Sequence, residues 1–494
     1  QATKSSENYA QLLSALCIIS SVSIKRFQRR AQRAFFLRRN LALMEDLLGE
    51  SNPQHPTVPL VISRSQHPIS RKMIDGDALK VLYRLYRNGY LAYLVGGSVR
   101  DFLLGKTPKD FDVATNAHPH EIRALFRNSR TIGRRFRLVH VFFYGGKTIE
   151  VSTFRSRSEF EEKESDEEGL IHRDSFGTPE EDALRRDITI NGLFYNIADF
   201  SIIDYVGGIA DLNRKLIRTI GDPEVRFKQD PVRMIRVIRH AARTGFTIDR
   251  PTYQAVLRHR DAIRTCSPSR VRDEFFRELR EGAAEASLRL MLETDLLMSI
   301  FPDFERVFGD RNPFKRRDRN DLLSLFRLVD ELNRLRKPLS EAILLALFLT
   351  PFLRAIFHDH PYLGEKERYT YFVETVHFAM NQALLPFSMP KGLRETVFQV
   401  LIAQASLKRF AEQGGVPKKW RTKKYLQDAV LYYGILAHAR GETMPGILRR
   451  LVPPDLLPWW PEVYEVAPSG KPKRERLARR KRRRGRRHKK PSPA

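Results

Sequence analysis

The sequence predicts an α+β protein: a head of mixed sheet and helices, then an all-helical neck and body, then a basic tail too polar to fold alone. Three observations predict this order. Short strand-like and helical patterns alternate from about residue 75 to residue 220. After Pro223 strand signals nearly vanish and helical spacing takes over. Between Lys471 and Lys490 there are 14 Lys or Arg and a single Glu.

Taken in chain order, residues 1–70 read as a flexible extension. Leu12 to Ile24 is apolar and uncharged, and Lys25, Arg26, Arg29, Arg30 and Arg33 follow it. A secretion signal places its positive charge before the apolar run, so this order argues against one. Ser51 to Ser70, with its Pro, Ser and His residues, reads as a linker. In the head, residues 71–220, a helix is expected through Asp77 to Arg87 and strands at Tyr93 to Val95, near Arg137 to Tyr144 and at Thr148 to Phe154. A helical neck, 221–285, and body, 286–466, follow from the spacing in Val232 to Arg243, Val271 to Leu279, Ala286 to Leu297 and Leu339 to Leu349. The tail occupies 467–494.

Composition limits the function classes. Lys plus Arg total 87 against 58 Asp plus Glu, a net charge of +29, and about +16 remains when the Lys471–Lys490 run is set aside. Such a surplus favours a polyanionic partner, nucleic acid before membrane. With only Cys17 and Cys266, a disulfide framework and a Cys-rich zinc site are excluded, and a reducing compartment, the cytoplasm, is expected. No run of about 20 apolar residues is present, so no membrane span is expected.

The chemistry-bearing residues begin at Lys109-Asp110-Phe111-Asp112-Val113. On a strand, positions i and i+2 share a face, so Asp110 and Asp112 are expected to project together while Phe111 turns inward. Paired carboxylates repel unless a cation lies between them, and a hard divalent ion takes such oxygens. A D-x-D alone is commonly a surface turn. Here Leu94-Val95-Gly96-Gly97-Ser98-Val99-Arg100-Asp101 precedes it, an apolar strand that ends in two glycines and opens a helix from Val99 to Leu104. That turn can bring backbone close to a phosphate, with Ser98 as a further donor or merely an N-cap. In Thr148-Ile149-Glu150-Val151-Ser152, alternation sets Glu150 opposite Ile149 and Val151, within reach of the metals if the two strands are neighbours.

Together these segments resemble the class II nucleotidyltransferases of the DNA polymerase beta superfamily, which comprise bacterial poly(A) polymerases and CCA-adding enzymes. Gly96-Gly97-Ser98-Val99-Arg100-Asp101 with Asp110-Phe111-Asp112 is similar to the family's metal and triphosphate motif. Arg185-Arg186-Asp187-Ile188-Thr189-Ile190-Asn191 resembles its RRDxTxN segment, and Asp204-Tyr205-Val206-Gly207-Gly208 its link from head to neck. Asp230-Pro231-Val232-Arg233-Met234-Ile235-Arg236 is similar to the helix that meets the base, with Gln229 where the family usually has Glu.

The resemblance implies two Mg²⁺ ions on Asp110, Asp112 and Glu150, with Asp187 as a further catalytic carboxylate or a buried partner of Arg186. It implies ATP as substrate, bound by Gly96, Gly97, Ser98, Arg100, Arg185, Arg186 and Asn191. Asp230 and Arg233, three apart on a helix, would read the base edge, and Arg236, Arg239 and Arg243 would hold triphosphate or RNA. Thr131-Ile132-Gly133-Arg134-Arg135-Phe136-Arg137-Leu138-Val139-His140-Val141 resembles an element of the poly(A) polymerase branch, as does the Arg-rich tail. The implied activity is template-independent AMP addition to RNA 3′ ends by a monomer without a membrane partner. CCA addition to tRNA is the alternative, and a non-catalytic RNA-binding adaptor a remote one.

Overall fold

The computed structural model describes residues 58–133, 138–156, 176–310, 312–357, 365–384 and 387–457. Arg134, Arg135 and Arg137, the acidic run 159–168, Trp459, Trp460, Tyr464 and the basic tail lie outside the described residues. The described residues divide into two units. One runs to Pro338 and adds Ala379–Met389; the other takes Leu339–Phe378 and the chain from Pro390 on.

The first unit opens with an eight-stranded sheet built from β1 (Leu60–Ile62), β2 (Ala92–Val95), β3 (Asp112–Thr115), β4 (Ser129–Ile132), β5 (Leu138–Phe142), β6 (Thr148–Thr153), β7 (Leu193–Asn196) and β8 (Ile202–Asp204). The order is β1-β8-β7-β2-β3-β6-β5-β4, antiparallel throughout except that β3 and β6 run parallel. Helices α1 (Gly76–Arg87), α2 (Gly97–Leu103) and α3 (Pro119–Leu125) carry the larger share of the core, with Val81, Leu82, Leu85, Val99, Phe102 and Ile122 packed on Leu94, Val113 and Val151. Helix α1 starts where Asp75 accepts from the amides of Asp77 and Ala78, the side-chain cap its position predicts.

Leu60–Ile62 falls in the segment read as a linker, yet it pairs with β8 as an edge strand. Three apolar residues among prolines give too short a pattern to announce a strand; the partner supplies the evidence.

Beyond α4 (Pro179–Leu184) and α5 (Gly208–Arg214) the unit becomes helical: α6 (Pro223–Gln229), α7 (Val232–Thr244), α8 (Arg250–His259), α9 (Pro268–Arg280), α10 (Ala284–Glu293), α11 (Leu296–Ile300), α12 (Glu305–Phe308) and α13 (Lys315–Arg334). The continuous helix expected through Ala286 to Leu297 is broken: Asp295 adopts φ 56, the left-handed region, and starts α11 afresh. The short parallel pair β9 (Leu216–Ile217) and β10 (Thr247–Ile248) is the one departure from an all-helical neck among the described residues. The second unit holds α14 (Glu341–Phe357), most of α15 (Glu365–Leu384), α16 (Lys391–Gln413), α17 (Lys418–Arg421), α18 (Leu426–Ala439) and α19 (Gly446–Arg449). No described helix is long and apolar enough to cross a membrane.

Candidate active site

The site grows from the centre of the sheet. β2 ends at Val95, which is paired with Asp112 on one side and Phe194 on the other. The chain then turns through Gly96, whose φ of 71 and ψ of −133 suit glycine far better than any other residue. A methyl group on Gly96 would stand 3.3 Å from a terminal nitrogen of Arg186 and 3.9 Å from Oδ2 of Asp112. A carboxylate, a guanidinium and a bare stretch of backbone therefore meet at one point, beside the start of α2.

Strand β3 begins at Asp112, and Asp110 lies just before it, so the expected i, i+2 strand pair straddles the strand's first residue. Both aspartates are exposed, while Phe111 is half-buried and packs near Phe102, with ring centroids 6.1 Å apart. β6 is the parallel neighbour of β3, and Glu150 is the register partner of Asp112. Asp112 keeps an opening to solvent but is crowded by protein on its other sides. That burial, with the like charges of Glu150 and Asp110 and against the pull of Arg186, pushes its pKa up to about 6. Glu150 Oε1 lies 3.2 Å from His140 Nε2 on β5, a neighbour that sequence reasoning did not pick out.

Among the described residues no group of three or more His, Cys, Asp or Glu is placed closely enough to hold an ion by itself. The donors that are present suit Mg²⁺ all the same. They are hard carboxylate oxygens, open to solvent and mutually repelling, and Mg²⁺ typically keeps waters and binds through one or two carboxylates plus substrate phosphates.

The Arg185–Asn191 turn approaches the same point. Asp182 on α4 holds Arg186 at 2.9 Å and Arg185 at 3.5 Å, the i+4 and i+3 positions of one helical turn. The Arg186 guanidinium lies over the Phe194 ring, 5.1 Å from its centroid. Behind it the turn is clamped: Thr189 donates to Asp211 at 2.7 Å, and a Cβ on Gly208 would fall 2.2 Å from the Thr189 carbonyl oxygen.

Several side chains expected at the nucleotide are turned inward. Arg100 is 1% exposed and its guanidinium is taken by Asp101 at 2.7 Å and by the Asn191 side-chain oxygen at 2.7 Å. Asn191 also brings its amide nitrogen within 3.3 Å of His240 Nε2. His240 is held neutral, its pKa driven well down by burial and by Arg239 and Arg100. The Ser98 hydroxyl spends its one proton on the Val95 carbonyl, 3.0 Å away, and Gly96 takes the N-cap position.

Asp187 is likewise committed. Arg233 lies 2.8 Å from one of its oxygens and Arg236 3.0 Å from the other. Burial pushes its carboxyl up, but the two guanidinium groups outweigh that and hold it below the ordinary range. Its partners are thus on α7, whereas Arg186 pairs with Asp182. Glu274 on α9 binds Arg236 at 2.9 Å and also binds Arg239. Arg243 reaches Glu281 at 3.3 Å and Asp101 at 3.4 Å.

Asp230 does not share a helix with Arg233. It is the C-cap of α6, with φ −144 and ψ 88, Pro231 is the N-cap of α7, and the Arg233 Nε is 3.9 Å from Asp230 Oδ2. Arg270, which the sequence did not single out, donates to that Oδ2 at 3.0 Å. Asp230 Oδ1 is buried with no hydrogen-bond partner among the described residues.

The family "Poly A polymerase head domain" matches residues 92–218, and "Probable RNA and SrmB- binding site of polymerase A" matches 245–308. Poly(A) polymerase I of Escherichia coli O6:H1 is 36% identical over 441 residues, covering 87% of this chain and 91% of the relative. A CCA-adding enzyme of Bacillus velezensis is 34% identical over 223 residues, 45% of this chain and 55% of the relative. The solved CCA-adding enzyme of Bacillus stearothermophilus in complex with CTP superposes with a TM-score of 0.52 at 25% identity, covering 76% of this chain and 80% of that one.

Proposed function

The chain belongs to the poly(A) polymerase family of nucleotidyltransferases, and on that premise we propose that it adds AMP from ATP to RNA 3′ ends without a template, through the site around Asp112. The observation that carries this reading is the meeting of Asp112, Asp110 and Glu150 with Gly96 and Arg186 at the end of β2. Anionic oxygens for a hard cation, a backbone free of Cβ and a guanidinium are what a nucleoside triphosphate needs on its three sides.

Asp110 and Asp112 are the residues to hold Mg²⁺, with Glu150 beside them. Bound there, Mg²⁺ supplies charge neutralisation for the triphosphate and activation of the RNA 3′-hydroxyl. Arg186, with Arg185 next to it, receives the triphosphate charge, and the Gly96–Gly97 turn lets the phosphates come close. The 3′-oxygen forms its bond to the α-phosphorus while the α–β phosphoanhydride bond breaks and pyrophosphate departs. Asp230 Oδ1 accepts from the base, fixed by Arg270 through Oδ2, while Arg233, bound to Asp187, stands beside it at the start of α7. Arg100, Asn191 and Ser98 shape the turn, while Asp187 with Arg233 and Arg236 fixes α7 against the head and Arg239 ties α7 to Glu274 on α9. We place the enzyme in the cytoplasm, acting on RNA as a monomer.

The test is primer extension on an oligoadenylate with ATP, CTP, GTP and UTP supplied separately. ATP alone is expected to give long products. Two Cs and one A on a trimmed tRNA would support CCA addition instead, and no incorporation of any nucleotide would leave an RNA-binding adaptor.

A further inference from the structure

A second cluster of charge lies in the other unit. Lys418, Lys419, Arg421, Lys423 and Lys424 place five cations within seven consecutive residues on α17 and the turn that leads into α18. All five side chains are exposed, and among the described residues none makes an ion pair, although Arg440 in the same unit is paired with Glu442 at 2.8 Å. Like charges at such spacing repel, so an unpaired cluster costs stability until an anion meets it.

The backbone that carries them is firmly set. Gly414 ends α16 in the left-handed conformation at φ 68, and buried Val416 ties the connection to the core. Amides of Trp420, Lys423 and Leu426 then donate in succession to the carbonyls of Pro417, Trp420 and Lys423, at 2.9, 3.1 and 3.0 Å. Trp420, the one large apolar side chain in the run, is half-buried: its ring meets Phe410 edgewise at 5.1 Å and Tyr425 at 6.2 Å. A hydrogen-bonded turn therefore presents its cations outward, with its one aromatic ring engaged by neighbouring rings.

We propose that this turn is a second RNA-binding surface, which grips the phosphate backbone of the RNA at nucleotides other than its 3′ end. The proposal rests on the reading of RNA as substrate, and it concerns residues outside both matched family regions, 92–218 and 245–308. Charge complementarity selects the partner: closely spaced, unpaired cations fit a chain of phosphates and release its counterions. Trp420 is locked in ring contacts, so the turn offers no free aromatic wedge of the kind that enters a lipid interface. With its one ring already engaged by Phe410 and Tyr425, the contact is expected to be indifferent to base sequence.

The experiment compares the full chain with K418Q/K419Q/R421Q/K423Q/K424Q, and with a charge-preserving control, K418R/K419R/R421K/K423R/K424R. Binding is measured by anisotropy of a labelled RNA of about 40 nucleotides and of one of about six, across a salt series. For the long RNA the glutamine variant is expected to bind about tenfold more weakly, with a salt slope shallower by about 2 to 3, given about 0.7 per phosphate released on single strands. The short RNA should bind within about twofold of the unaltered chain, and the charge-preserving control should match it throughout. Unchanged long-RNA affinity and slope would overturn the proposal, as would an equal loss on both RNAs. So would loss of binding to phosphatidylserine vesicles or polyglutamate with RNA binding intact, since either would assign the turn to another partner. Because the readout is binding, a chain that extended no primer would defeat the enzymatic reading while leaving this one decided by its own result.

Discussion

At the end of β2, Asp112 faces Glu150 across the β3–β6 pair with Asp110 nearby, and its burial, together with these like charges, raises its pKa to about 6. On the neck helices of the same unit, carboxylates of equal strength are met by guanidinium groups. Asp187 bridges Arg233 and Arg236, Glu274 bridges Arg236 and Arg239, and both acids sit below their ordinary range, against the effect of their burial. The first region stores repulsion that a cation and a triphosphate can relieve. The second has already spent its charges on holding α7, α9 and the Arg185–Asp187 turn together. Charge left unsatisfied marks the place where a ligand belongs, and charge neutralised in pairs marks a frame.

The most severe way to break this comparison is to remove the repulsion. Asp112→Ala, and separately Asp110→Ala, should lower primer extension roughly 10³-fold with the circular dichroism unchanged. Retained activity in either variant would move the reaction elsewhere.

Opening the frame should act on stability first. Glu274→Ala leaves Arg236 and Arg239 without their shared carboxylate, and a loss of roughly 3 kcal/mol is expected from breaking a buried pair. The urea midpoint of the first unfolding step measures it, and an unmoved midpoint would mean that the lattice is ornamental.

The raised pKa of Asp112 sharpens the contrast through pH. A proton and a divalent cation compete for that carboxylate, so apparent Mg²⁺ affinity should fall as pH drops below about 6 and level off above about 7. Calorimetric titration from pH 5 to 8 follows this, and Asp112→Asn should flatten the dependence.

A related test lies within the frame. Glu278 on α9 is 1% exposed, and burial pushes its pKa up to about 8. The folded state then binds more protons than the unfolded one between the two pKa values, so this group's contribution to stability declines as pH rises toward 8. Thermal midpoints measured from pH 6 to 9 should decline for the unaltered chain and decline less for Glu278→Gln.

The smallest effect is expected from Arg270→Ala. Arg270 is half-exposed and holds Asp230 through a single ion pair, which is worth up to about 1 kcal/mol. KM for ATP should rise by up to about fivefold, with kcat nearly unchanged. A matching fall in kcat would give Arg270 a role beyond orienting Asp230.

How much of this was legible in the residues varies with the range of the interaction. Asp182 lies one helical turn from Arg185 and Arg186, so such pairing follows from spacing. The alternation around Glu150 gives the face it uses, but only strand pairing makes Asp112 its register partner. Arg270, Glu274 and His240 stand tens of residues from the groups they orient, and no local pattern announces them. The break between Asp230 and Pro231 was hidden for another reason, because residues three apart suggest one helix until capping geometry divides them.

By itself the sequence determined the α+β head and helical remainder, the carboxylates, the glycine turn and the basic balance. Periodicity and composition act locally, and each residue carries them wherever it goes. Only the tertiary structure decided which charges would cancel. It turned Arg100 and Ser98 into the turn's own hydrogen bonds, gave Asp187 to α7, and left Asp112 among its own kind. The reason is physical: an ion's partner is chosen by distance in space, and burial sets how strongly that choice is felt.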